Sequence, residues 1–175
     1  IMDRYGEIIK AMNESTEEYY RYKKTANKIV QLFIEGVSKY LSCPVERIKL
    51  RPFACNDKTF NYHVYNIPLS IRLNEDGFWA FGLDIEIFEN NFGEGRVEII
   101  YLKVQMNINE RKKEIIVKIN DEPDEFKILM SEDTADFNPV HEFVFNAVIG
   151  DIINGLKDLV DHKRRSKIFD FKFDR

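Results

Sequence analysis

Asp84 and Glu86 stand two residues apart in the stretch GFWAFGLDIEIFE, and an extended strand puts side chains at that spacing on one face, about 7 Å apart. Two carboxylates so placed could divide acid and base roles across a water molecule. They could also hold a divalent cation that activates the water, chemistry suited to hydrolysis of a phosphodiester. The same spacing arises on any amphipathic strand with a wet face, where acids pair with cations on the neighbouring strand. The remaining reactive side chains are sparse. Cys43 and Cys55 are the two thiols, His63, His141 and His162 are far apart, and no C-x-x-C or Cys/His quartet offers a metal site. No metal and no cofactor is expected. The chain also lacks the phosphate-binding, dinucleotide-binding and hydrolase-elbow signatures G-x-x-x-x-G-K-[ST], G-x-G-x-x-G and G-x-S-x-G.

A second chemical feature is HKRRSKIFDFKFDR, His162 to Arg175, where four cations precede alternating aromatic and charged residues. The cations fall where a helix would end, and positive charge there is favoured by the unpaired carbonyls and the helix dipole. They would make too few phosphate contacts for tight binding at physiological salt, and the net charge of -4 opposes a nucleic-acid partner. Beyond them Phe169, Phe171 and Phe173 alternate with Asp170, Lys172 and Asp174, the period of a half-buried strand. That strand is expected to extend a sheet edge, either of its own chain or of a second subunit in a homodimer.

The elements that would position these groups follow from periodicity. Asp3 to Met12 reads as a short helix, and Ser15-Thr16-Glu17-Glu18 has the form of a capping box opening a second, longer one. Tyr19, Tyr22, Ala26, Ile29, Val30, Phe33, Val37, Tyr40 and Leu41 recur at three and four, a stripe that ends before Pro44. From Val45 to Met130 the period becomes two. Trp79, Phe81, Leu83, Ile85 and Ile87 share a face, as do Ile100, Leu102, Val104, Met106 and Ile108. Pairing Ile85 with Ile100, Leu83 with Leu102, Phe81 with Val104 and Trp79 with Met106 keeps both sets together.

By the same test Ile67, Leu69, Ile71 and Leu73 are expected opposite Ile85, Leu83, Phe81 and Trp79. Ile115, Val117 and Ile119 are expected opposite Met106, Val104 and Leu102. Weaker strand signals occupy Arg47 to Phe53, Thr59 to Tyr65 and Phe126 to Met130. Asn138-Pro139 then has the form of an N-cap with proline at the first helical position. The helix it opens carries a core face of Val140, Phe143, Val144, Ala147, Val148, Ile152, Leu156, Leu159 and Val160, widened by Phe145, Ile149 and Ile153.

The expected fold is therefore α+β. An antiparallel β-meander of about five to seven strands carries an N-terminal helical segment and a long C-terminal helix on one face, followed by a short C-terminal strand. The 175 residues suit one domain: helices over 1–42, sheet over 45–130, helix over 139–163 and strand over 167–174. Apolar residues at 44%, with 14 Phe and 8 Tyr, favour a packed core over disorder. The stretch IMDRYGEIIK lacks the basic segment and apolar run of a secretory leader, and charges interrupt every apolar stretch well before the ~20 residues of a membrane span. A cytoplasmic protein with no membrane partner is expected.

With both helices on one face, function is expected on the other. There Arg72, Asp84, Glu86, Ile99, Tyr101 and Lys103 gather with Ile116 and Lys118, Asp84 opposite Tyr101 and Glu86 opposite Ile99. This patch is more apolar than a plain solvated face, which points to a docking surface for a protein partner. The leading expectation is a non-enzymatic protein-interaction module (an adaptor, an inhibitor or immunity-type protein, or a chaperone) using this face and Phe169, Phe171 and Phe173. The alternative is a carboxylate-dependent, metal-assisted hydrolase built on Asp84 and Glu86.

Overall fold

In the computed structural model, which describes residues 3–52, 66–88, 97–120, 122–131 and 134–160, the chain opens on a single helix, α1, Arg4–Leu41. Asp3 caps it, its side chain accepting the Gly6 amide at 2.6 Å. The expectation of two helices is thereby corrected. No Gly or Pro lies between Met12 and Ser15 to stop the first. Thr16, in the capping box, donates its hydroxyl back to the Met12 carbonyl at 2.8 Å instead of starting a second. The helix ends where Ser42 turns left-handed at φ 52, the Ser42 and Cys43 amides close on the Lys39 and Ser38 carbonyls, and Pro44 follows.

A short 3-10 turn, Val45–Arg47, leads into six antiparallel strands: β1 Ile48–Arg51, β2 Arg72–Leu73, β3 Trp79–Phe88, β4 Val97–Asn109, β5 Glu114–Ile119 and β6 Phe126–Leu129. Their order is β1-β3-β4-β5-β6, and β2 pairs with the Trp79–Ala80 end of β3. The β3–β4 register is the expected one, from Trp79 opposite Met106 to Ile85 opposite Ile100. Between β4 and β5 the faces agree, but the register lies two residues away from the expected one, with Val104 opposite Ile119 and Met106 opposite Val117. The turn decides this. Asn109 accepts the Lys112 amide at 3.0 Å and Lys113 sits at φ 51, so four residues separate Asn109 from Glu114.

The strand expected over Ile67 to Leu73 is mostly helix instead. Asn66 accepts the Leu69 amide, Pro68 falls in the first turn where no donor is needed, and α2 forms over Ile67–Ser70. Only Leu73 keeps its expected partner, Trp79, and the places opposite Ile85 and Leu83 go to Ile48 and Leu50 of β1. The strand signals at Thr59 to Tyr65 and at residues 167–174 lie outside the described residues.

One core joins the sheet to its helices. On α1, Ala26, Val30, Phe33 and Val37 are fully buried, with Phe33 edge-on to Phe81 of β3. The last helix, α3, Asn138–Val160, lies beside α1 and reaches the sheet where Phe143 meets Phe126 of β6. Its cap falls one residue before the expected Asn138: the Phe137 carbonyl accepts the Val140 and His141 amides, and Asp136 accepts that of Asn138. The broad apolar face expected of α3 is narrower in the fold, because Val140, Val144 and Val148 are buried while Phe145, Ile149 and Ile153 are 41%, 41% and 50% exposed. At 100° per residue these three turn away from the sheet.

Where α1 crosses α3, His141 is buried among the rings of Phe33, Tyr40 and Phe137. Burial pushes its imidazole below the ordinary 6.5, against a hydrogen bond at the Phe33 backbone and the charge of Asp136, which both favour the cation. Below the ordinary value the unfolded chain therefore takes up a proton that the folded chain refuses. The stabilisation from neutral His141 is complete above that value and is lost as pH falls through it towards the folded value. Thermal unfolding between about pH 7.5 and pH 5.5 should show a steeper acid-side fall in Tm for the wild type than for His141→Gln; parallel curves would refute this.

Candidate functional site

The face of the sheet opposite α1 and α3 is built on β3. There Ala80, Gly82, Asp84 and Glu86 alternate with the core residues, so both sides of this strand need covering. Gly82 makes room for the cover. A Cβ at this position would lie 2.6 Å from the Tyr101 ring and 2.8 Å from Arg51 Cγ, and the two side chains occupy that space. The Arg51 guanidinium stacks on the Tyr101 ring, 3.6 Å from its centroid, with Nε 3.4 Å from Asp84 Oδ1. Asp84 is left 1% exposed.

One step along, Lys49 pairs with Glu86, and Arg47 stacks on Phe88 at 3.5 Å. Two cations from β1 thus meet two carboxylates from β3 diagonally, Lys49 lying opposite Asp84 and Arg51 opposite Gly82. Within these two pairs the charges cancel. A cation between Asp84 and Glu86 would have to displace Lys49 and Arg51, so the geometry gives metal-assisted hydrolysis no support. Among the described residues no group of three His, Cys, Asp or Glu side chains could hold a metal ion. Burial also pushes the Cys43 thiol up, against the lowering influence of a backbone hydrogen bond and of Arg47. That is the wrong direction for a nucleophile.

The expected site residues are distributed unevenly. Asp84, Glu86 and Tyr101 come together, with Asp84 opposite Tyr101 and Glu86 opposite the half-buried Ile99. Lys103 lies opposite Gly82 at the margin of the cluster. Arg72 shares the face through its partner Ala80, but four residues along β3 from Asp84, about 13 Å away, and is exposed. Ile116 and Lys118 belong to the next strand, where Lys118 pairs with Glu125 at 2.9 Å. Phe169, Phe171 and Phe173 lie outside the described residues.

Sequence reasoning missed Lys49 and Arg51. The signal was the alternation in IKLR, with Ile48 and Leu50 in the core and the cations opposite.

It also missed a groove of about 470 Å³ between α1, β1 and α2. Ile34, Val45, Ile48, Leu50, Ile67 and Pro68 give it apolar walls, and Gln31, Glu35, Lys49 and Asn66 its polar rim. Ile48 and Leu50 point to one face of the sheet and Lys49 to the other, yet all three line the groove. It therefore runs along the outer edge of β1, the terminal strand among the described residues. Lys49 joins this groove to the charged cluster through Glu86.

No family model matches the chain, and neither the curated proteins nor the solved structures contain a match to it. No helix among the described residues is long and apolar enough to cross a membrane.

Proposed function

We propose that this chain is a non-enzymatic protein-interaction module, of adaptor, inhibitor or chaperone type, that takes an extended segment of a partner protein along the outer edge of β1. The observation that carries this reading is the groove itself: apolar walls of Ile34, Val45, Ile48, Leu50 and Ile67 beside the strand that is terminal among the described residues. Such an edge can add a strand, with backbone hydrogen bonds supplying affinity and alternate side chains entering the groove. The neutral Arg51–Asp84 and Lys49–Glu86 pairs favour the same reading over catalysis, because their charges are spent on one another.

A photo-crosslinking residue at Val45, an exposed part of the groove wall, should trap one discrete partner segment when the protein is illuminated in its own cell. Ile67→Asp should reduce that adduct about tenfold or more, since a charge in the groove must be desolvated by the incoming chain. An adduct no stronger than one from the same probe at exposed Lys127, on the far edge strand β6, would end the proposal.

A further inference from the structure

The 38 residues of α1 make a rod of about 57 Å. Its contacts with the sheet begin at Tyr19, whose ring lies against Trp79, and Tyr22, whose hydroxyl donates to the Ile108 carbonyl at 3.3 Å. Residues 4–18 project beyond the body, about 22 Å of helix.

The projection keeps the pattern of a buried helix. Tyr5, Met12, Tyr19, Ala26 and Phe33 form one column at intervals of seven. In the body its members Ala26 and Phe33 are fully buried, whereas in the projection Tyr5 and Met12 are 69% and 65% exposed, with Ile8 beside them at 64% and Ile9 at 41%. Among the described residues nothing covers this stripe, and fifteen residues of helix standing alone are marginal in water. The stripe is built to be covered.

We infer that a second copy of the chain covers it, with the two α1 projections packed antiparallel about a two-fold axis at Ala11 and Met12. The charges beside the stripe choose this occupant and this direction. Arg4, Ala11 and Glu18, again seven apart, line one flank. An antiparallel pair sets Arg4 against the partner's Glu18 and Glu18 against the partner's Arg4, with small Ala11 at the crossing. A parallel pair would turn this flank towards the partner's opposite flank, that of Ile9 and Thr16, and would not bring Arg4 to Glu18. The isologous arrangement also closes on itself. Tyr5 and Tyr19 are about 21 Å apart along the helix. The partner's Tyr5 therefore lies level with Tyr19, where the contacts of α1 with the sheet begin. The contact buries on the order of 500 Å² per chain, at the low end for a specific interface and in the size class of weak, reversible complexes. It uses none of the residues of the β1 groove and stands or falls independently of it.

Sedimentation velocity of the full chain between about 1 and 300 µM tests this, with Trp79 emission reporting that the body stays folded. Wild type should shift from monomer to dimer across the range, and Met12→Glu should stay monomeric with unchanged emission. Arg4→Glu and Glu18→Arg should each weaken association about tenfold, and the two together should restore it, because in the dimer each reversed charge again meets its opposite. Within one chain these residues are too far apart to compensate each other. A wild type monomeric throughout, a dimer indifferent to Met12→Glu, or a double reversal that fails to restore association would each overturn the inference.

Discussion

Replacing Arg51 with methionine will destabilise the protein by about 3 kcal/mol, a large effect for a residue outside the hydrophobic core. Asp84 is 1% exposed and the Arg51 side chain 17%, with Nε 3.4 Å from the carboxylate. Once this cation is removed, the carboxylate loses the guanidinium beside it while staying between strands where water reaches it poorly. The methionine also gives up the stacking on Tyr101, worth about 1 kcal/mol. Replacing both partners, Arg51→Met with Asp84→Leu, should recover most of the loss, since no charge is then left buried. Urea unfolding followed through Trp79, arranged as a double-mutant cycle, measures this. A single-variant cost under about 1 kcal/mol would show that the Asp84 charge is held by other groups, and that the Arg51–Asp84 pair does not organise this face.

Gly36→Ala should have an effect of similar size at the other side of the sheet. The added Cβ would fall well inside van der Waals contact of His141 Cε1 and 2.8 Å from Nε2. This ring cannot swing aside easily, because Phe33, Tyr40 and Phe137 lie 5.5, 6.0 and 6.0 Å from it, centroid to centroid. Either α1 and α3 separate or the aromatic cluster repacks, at a cost of about 3 kcal/mol. The intrinsic preference of a helix for alanine over glycine returns about 1 kcal/mol at most. His141→Ala removes the obstacle. Combined with Gly36→Ala it should cost less than the two separate losses, with a coupling of at least about 1 kcal/mol in a thermal or urea cycle. Strict additivity would mean that α1 and α3 do not meet at this pair.

Much of the framework is legible in the sequence. In β3 and β4 the strict alternation from Trp79 to Ile87 and from Ile100 to Ile108 admits one pairing that buries both sets, and that pairing is the one observed. The period of α1 likewise announced which of its faces meets the sheet. The β4–β5 register was misjudged because a shift of two residues leaves every side chain on the same face. Alternation cannot distinguish the two pairings, and the length of the turn at Lys113 does. Ile67, Leu69, Ile71 and Leu73 alternate like a strand, but the Asn66 cap and Pro68 act locally and make the first turn of α2. The candidate site was half read: Asp84, Glu86 and Tyr101 were placed together, while Lys49 and Arg51, whose strand is far away in the chain, were not.

The sequence by itself determined the class of fold, the inward face of each main strand and the register of the central hairpin, because these depend on the periods of nearby residues. Only the tertiary structure decided that Asp84 is a buried, neutralised charge and not a solvated acid, because that depends on β1 arriving beside β3 from more than thirty residues away. It also decided where the apolar stripe of α1 stops being core. The stripe continues in the sequence, but among the described residues the strands beneath it end at Trp79 of β3 and Asn109 of β4, and a helix cannot bury a face against a surface that has run out.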